Sequence, residues 1–171
     1  GSAATLAAMT ATYAAAAALL LGLGAGRRGE AGAAVAALAG ATALALGALA
    51  LPAICDRESR YYCIRTVDLS DDPADPVRLM VLDHLAHGIG AREAPRVMFT
   101  EHTAMLDALP RMRMGEGFTS FHIGGGSYSV PRAWADRGIG GITVAEVDPA
   151  VTAQAAADFW FDPEAARIVH R

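Results

Sequence analysis

No lysine occurs among the 171 residues; all 14 basic side chains are arginine, set against 18 Asp and Glu for a formal net charge of −4. That balance lacks the basic footprint that general nucleic-acid binding requires, so no DNA or RNA role follows. Cysteine is nearly missing too: Cys55 and Cys63 are too few for a disulfide scaffold and lack the paired spacing of a zinc site. Two readings stay open for them, a disulfide if this region faces an oxidising compartment, or a pair of buried free thiols. Charge of either sign is scarce in the first third, where residues 1–54 hold only Arg27, Arg28 and Glu30, while residues 55–171 hold 12 Arg against 17 acids. What is abundant is apolar, at 53% of residues, with 18 glycines, which excludes a disordered, charge-rich chain.

Residues 3–26 and 31–55 carry no charge. As helices rising about 1.5 Å per residue, each run is long enough to cross a hydrocarbon core of about 30 Å. The expectation is two transmembrane helices over residues 1–55, joined at Gly26-Arg27-Arg28-Gly29-Glu30 and ended by Pro52, with membrane lipid as a partner. Alanine contributes little to insertion, so Leu19, Leu20, Leu21, Leu23, Leu44, Leu46, Leu49 and Leu51 must supply most of the drive. The small residues would let backbones approach closely, as packing against other membrane subunits or further helices of the same chain demands. The other reading is an Ala-rich hairpin in water, buried in a larger assembly. A cleaved signal peptide fits less well, since there are two apolar segments and neither follows a basic start. Arg27 and Arg28 oppose Arg57 and Arg60 in the local charge count, which leaves the orientation open. The opening Gly1-Ser2, without Met, predicts further sequence upstream.

From Asp56 the pattern turns to short strands. Tyr61 to Val67 is aromatic and β-branched, Asp68 to Pro76 is an acidic, Pro-containing turn, and Val77 to Leu82 reads as a second strand, giving a small β-domain over residues 56–90. Val97, Met98, Met105, Leu106 and Leu109 recur near helical spacing. Then Phe118 to Ile123 runs into Gly124-Gly125-Gly126-Ser127 and a helical start over Arg132 to Asp136. A strand entering a glycine turn and a helix brings backbone N–H groups close to a ligand. The next strand, Gly141 to Asp148, ends in acids and carries Glu146, which follows Gly126 by about the offset at which dinucleotide and nucleoside folds place the carboxylate for ribose hydroxyls. Asp148 reads as the N-cap of a further helix, Phe159-Trp160-Phe161 as core, and Arg167 to His170 as a third strand. Residues 91–171 therefore read as the first half of a Rossmann-like nucleoside-binding domain. The fold class expected is two transmembrane helices followed by an α/β domain, a β-hairpin or meander plus an incomplete Rossmann-like sheet.

Four pieces, Glu58-Ser59-Arg60-Tyr61-Tyr62, Arg78 to Asp83, Ile123-Gly124-Gly125-Gly126 and Val144 to Pro149, stand in an order and at a spacing that resemble the spermidine synthase family, in particular its bacterial membrane-fused members. The resemblance covers residues 56–171. It implies a small β-domain joined to a Rossmann-like domain of the methyltransferase type, and transfer of an aminopropyl group from decarboxylated S-adenosylmethionine, or a related nucleoside, to a diamine. It also implies a bacterial inner membrane location. Gly124, Gly125, Gly126 and Ser127 would border the nucleoside, and Glu146 would hold its ribose. On the amine side the chain departs from the family: Ser127 stands where an Asp binds the amino group, Phe99-Thr100 where a Tyr-His pair occurs, Tyr62 where Gln follows the Glu-Ser motif, and His87 where Gln is frequent. An ammonium ion taken out of water needs carboxylates or well-placed acceptors, so an altered acceptor site is expected.

The family's catalytic Asp and its adenine-recognising Asp would both fall beyond the third strand. Either the 171 residues are a portion of a longer protein or the second half of the fold is lost, and on both accounts no catalytic residue is expected in this stretch. No metal site is expected, since Glu101 and His102 adjoin on a helix and point apart. His84, beside His87, reads either as a second cleft residue or as part of a surface loop. Two functions compete: a membrane-anchored spermidine-synthase-like nucleoside-binding domain, and a non-catalytic accessory subunit docking into a membrane complex through its Ala/Gly-rich helices. A methyltransferase would share the glycine turn and ribose acid, but the Glu-Ser and Leu-Asp motifs of the β-domain speak against it.

Overall fold

A computed structural model of the protein describes residues 2–24, 28–50 and 54–170. The chain divides into two compact units, Gly1–Ala53 and Ile54–Arg171.

The first unit is a pair of helices packed on each other, α1 (Ser2–Gly24) and α2 (Arg28–Ala50), each of 23 residues. Alanine, the strongest helix former, dominates both. The threonines within them do not interrupt the turns, because Thr10, Thr12 and Thr42 donate their hydroxyls to the carbonyls of Leu6, Ala8 and Leu38, each at 2.8 Å. Arg28, Gly29 and Glu30, expected in the connector, belong to α2. Gly26, Arg27, Leu51 and Pro52 lie outside the described residues, as do the side chains of Leu20, Leu21, Leu23 and Leu49. Among the described residues no helix is long and apolar enough to cross a membrane. That overturns the expected transmembrane pair and, with it, the expected place in a bacterial inner membrane. The physical reason lies in composition: an uncharged run built mainly of Ala falls short of the apolarity that a Leu- or Ile-rich run supplies.

The second unit begins with an antiparallel meander of β1 (Arg57–Glu58), β2 (Cys63–Asp68), β3 (Val77–Leu82) and β4 (Leu85–Ala91), in that spatial order. Both strands read from the sequence are present, with a short strand added on one side and a longer one on the other. Cys55 and Cys63, open between pairing and free thiols, form a disulfide with their Cα atoms 5.3 Å apart. Helix α3 (Glu101–Met114) follows, starting later than the apolar spacing from Val97 implied because Thr100 caps it, its side chain accepting from the Thr103 N–H.

Next come β5 (Ser120–Ile123), α4 (Ser129–Asp136), β6 (Ile142–Ala145), α5 (Pro149–Asp158), a single 3-10 turn (Pro163–Ala165) and β7 (Arg167–Val169). The three strands form a parallel sheet in the order β5-β6-β7, with Phe121 opposite Thr143 and Ile123 opposite Ala145. Strand parity sorts the sheet into two faces. Ile142, Val144 and Ile168 join Trp134, Val151, Ala155, Phe159 and Phe161 in the core, whereas Phe121 and Ile123 are exposed on the opposite face. The same core takes in Ile64, Met80 and Leu82 from the meander, so the antiparallel and parallel sheets share one apolar interior. Polar contacts join them too: Thr66 donates to Asp158 at 2.7 Å, and Arg78 pairs with Asp158 at 3.2 Å. Asp148 caps α5 as expected, accepting from the Ala150 N–H at 2.9 Å, and also accepts from Ser59 at 2.5 Å.

Candidate functional site

At the end of β5 the chain turns sharply through Gly124 and Gly126, whose φ angles are 81° and 54°, a region only glycine visits without strain. Space imposes the same choice at the middle glycine. A Cβ on Gly125 would lie 2.1 Å from the Tyr128 ring, which is fully buried and has no room to withdraw. Tyr128 itself holds φ 56°, stacks on Phe161 with ring centroids 4.2 Å apart, and shares a 2.7 Å hydrogen bond with Thr152. It is the wedge that fixes the turn. Burial pushes its phenol up to about 12, against the opposing bond to Thr152 and with a smaller push from the Glu146 charge.

Glu146, beyond the end of β6, closes the turn from the other side. Its side chain is 6% exposed, and its two oxygens are divided between two backbone donors: Oε2 accepts from the Gly125 N–H at 2.8 Å and Oε1 from the Asp148 N–H at 2.9 Å. The carboxylate and the glycine turn, paired in the sequence reading by their offset alone, are thus in direct contact. Gly124 adds its own N–H to the Ala145 carbonyl at 2.8 Å, so strand, turn and acid form one hydrogen-bonded corner.

Two cavities open on this corner. One, of about 390 Å³, is lined by Tyr62, Leu82, His87, Ile123, Gly124, Gly126, Ala145, Glu146 and Val147. The other, of about 430 Å³, lies across the turn and takes in His87, His102, Thr103, His122, Ser127 and Ser129 beside the three glycines. His87 borders both, its ring 6.4 Å from that of Tyr62. Within these two linings Glu146 is the one carboxylate among the described residues. Ser127 is buried and bonded to Ser129 at 2.6 Å, and Ser129 in turn donates to the Ile89 carbonyl at 2.9 Å, which ties the turn back to β4. Burial holds the His122 imidazole below its usual range.

The structure therefore brings Gly124, Gly125, Gly126, Ser127, Glu146, Tyr62 and His87 together. It does not bring Thr100, which lines neither cavity because its hydroxyl is occupied at the start of α3 with His102 and Thr103. His84 sits exposed in the turn between β3 and β4, away from both linings. Among the described residues no group of three or more His, Cys, Asp or Glu side chains is placed to hold a metal ion. Sequence reasoning did not single out Tyr128, His122 or Ser129, and weighed His102 only as a metal ligand. The signal for Tyr128 was faint: a large aromatic directly after a Gly-Gly-Gly-Ser turn, where the backbone leaves room only for a ring.

Strand, glycine turn, helix, strand and acid in contact with the turn define an α/β domain whose cleft lies at the carboxyl ends of its parallel strands. Among solved structures the chain is similar to a probable spermidine synthase from Corynebacterium glutamicum, at 17% sequence identity with a TM-score of 0.58, over 71% of this chain and 45% of that one. The chain thus spans less than half of that protein's length, and a likeness at this identity shows a spermidine-synthase-like fold and nothing finer. No protein-family model matches the chain. No curated protein is significantly similar to it.

Proposed function

We propose that the cavity beside Glu146 binds an adenosine-type nucleoside with a sulfur-bearing chain, as in decarboxylated S-adenosylmethionine or methylthioadenosine. The observation that carries this reading is the state of the Glu146 carboxylate, almost fully buried yet lining a cavity with Gly124 and Gly126. A carboxylate oxygen has two lone pairs, and one backbone N–H on each oxygen leaves one free acceptor direction per oxygen. A ribose carries two adjacent hydroxyl donors, the complement of that pair. The cleft position, the open turn and the fold shared with a probable spermidine synthase support the same ligand class.

The second cavity argues for binding without aminopropyl transfer in residues 1–171. A diamine acceptor would bring an ammonium ion into a lining of imidazoles and hydroxyls that, among the described residues, offers no carboxylate to pair with it. The Ser127 and Ser129 oxygens keep lone pairs that can accept, but they bring no negative charge to balance an ammonium ion. Neither membrane anchoring nor docking through the Ala/Gly-rich helices receives support from the structure.

Isothermal titration with methylthioadenosine tests the proposal. Binding is expected, with the 2′-deoxy analogue at least about tenfold weaker, since a hydrogen bond to a buried charged acceptor contributes about 1.5–3 kcal/mol. No heat at millimolar riboside, or equal affinity for riboside and deoxyriboside, would refute it. Comparing ligands leaves Glu146 in place, which matters because replacing it would also undo the turn.

A further inference from the structure

Helix α3 is built the wrong way round for a helix with one covered face. Its buried residue is Asp107, 5% exposed, whereas Met105, Leu106, Leu109 and Met112 are 58%, 56%, 52% and 79% exposed. Asp107 has cause to be inside: it pairs with Arg111 at 2.7 Å and Arg137 at 3.3 Å, and accepts from the Trp134 indole at 2.8 Å. Leu106 borders the cavity across the glycine turn, but Met105, Leu109 and Met112 have no such explanation. Met105, Leu109 and Met112 recur at i, i+4 and i+7, which stacks them on one side of the helix, with Leu106 alongside. An exposed apolar stripe of this kind marks a contact surface.

The charges at its two ends identify what covers it. Glu101 lies at the amino end of α3 and Arg113 at the carboxyl end, both exposed, and among the described residues neither takes part in an ion pair within the chain. We propose that this face pairs with the same face of a second copy, the two α3 helices antiparallel about a two-fold axis. In that arrangement Glu101 of each copy meets the Arg113 end of the other, twice, and the helix dipoles oppose each other favourably. A parallel arrangement would set like charges together at both ends. A lipid or nucleic-acid surface finds no basic cluster on the stripe to hold it. The contact is one helix wide, below the area of a standard stable interface, so the dimer is weak and concentration-dependent. It uses no residue that touches the nucleoside cavity lining through Glu146, and stands whether or not a nucleoside binds.

Sedimentation velocity on the whole chain, from micromolar to millimolar concentration, is the measurement. The expected result is a reversible monomer–dimer equilibrium that Leu109→Glu weakens at least about tenfold. Glu101→Arg and Arg113→Glu each weaken self-association, about threefold or more, because each sets like charges together at both ends. Mixing those two variants restores it, since one copy then carries two arginines and the other two glutamates. Far-UV dichroism shows that the variants stay folded. A chain monomeric at millimolar concentration, a dimer indifferent to Leu109→Glu, or no recovery on mixing would each overturn the proposal.

Discussion

Tyr128→Phe removes one oxygen from the centre of the glycine corner, and its effect should change with pH in a way no simple packing loss does. At neutral pH the substitution leaves the ring stacked on Phe161 but takes away the partner of the Thr152 hydroxyl, which is only 7% exposed. An unpartnered buried hydroxyl costs about 1–3 kcal/mol. At high pH the wild type carries a second liability. The phenol ionises near 10 in the unfolded chain but is held up to about 12 when folded, chiefly by burial. Between those values the unfolded state binds fewer protons than the folded one, so stability is whole below pH 10 and falls as pH rises toward 12. Two units correspond to about 2–3 kcal/mol. Tyr128→Phe has no proton to lose there. Its stability curve should run below the wild type at pH 8 and flatten relative to it from pH 10 to 12, closing most of the gap. Urea unfolding followed by far-UV dichroism at a series of pH values measures both limbs. Parallel curves for the two proteins above pH 10 would refute the assignment of the raised phenol to Tyr128.

Gly125→Ala should lower stability by about 1–3 kcal/mol or more, because its Cβ would fall 2.1 Å from a ring that has nowhere to move; a melting temperature unchanged in calorimetry would contradict the geometry of the turn. Asp107→Asn should cost about 3–5 kcal/mol in denaturant unfolding, since it strips the charge from a buried site that holds Arg111 and Arg137, and a loss below 1 kcal/mol would mean the cluster opens to water. Replacing Cys55 and Cys63 together by Ser removes a bridge spanning a sequence separation of 8, worth about 2–3 kcal/mol on loop entropy, and a thiol count of zero on the unreduced native chain is expected beforehand. Acidification should weaken the fold below pH 6.5, because the unfolded chain protonates His122 before the folded one does; a ring-proton titration of His122 at or above 6.5 would remove that contribution.

Much of the second unit was legible in the sequence because its signals are local. The three glycines after an apolar strand, the Asp-Pro start of α5 and the offset from Gly126 to Glu146 each encode a backbone conformation directly, and each is where the spacing put it. What the sequence could not show is which partner a polar side chain chooses. Thr100 was aligned with an amine-binding residue, yet its hydroxyl is spent on Thr103 and His102 at the start of α3, since an exposed helix end leaves N–H groups to satisfy. Tyr128 carries no pattern of its own and acquires its role only when Phe161 and Thr152 close on it from distant positions in the chain. The first unit misled for a different reason. Absence of charge over two runs was read as membrane solvent, but absence of charge measures only what is not repelled by lipid, and alanine supplies little of what is drawn into it. Helices do occupy most of both runs, Ser2–Gly24 and Arg28–Ala50, with the second beginning inside the expected connector; the environment assigned to them was not supported.

Glu146 shows why the site and the fold are hard to separate here. A free carboxylate waiting for a ribose would have to be desolvated in advance, at a cost that an empty cavity does nothing to offset. Dividing its two oxygens between the Gly125 and Asp148 N–H groups meets that cost within the chain. The same bonds hold the glycine turn in place and connect it, through Asp148 and Ser59, to the meander beneath. The remaining lone pairs are then aimed by the backbone rather than by rotamer freedom, so a ligand that uses them finds them already ordered. Across the turn the second lining offers histidines and serines instead, so Glu146 is the one carboxylate either cavity presents among the described residues.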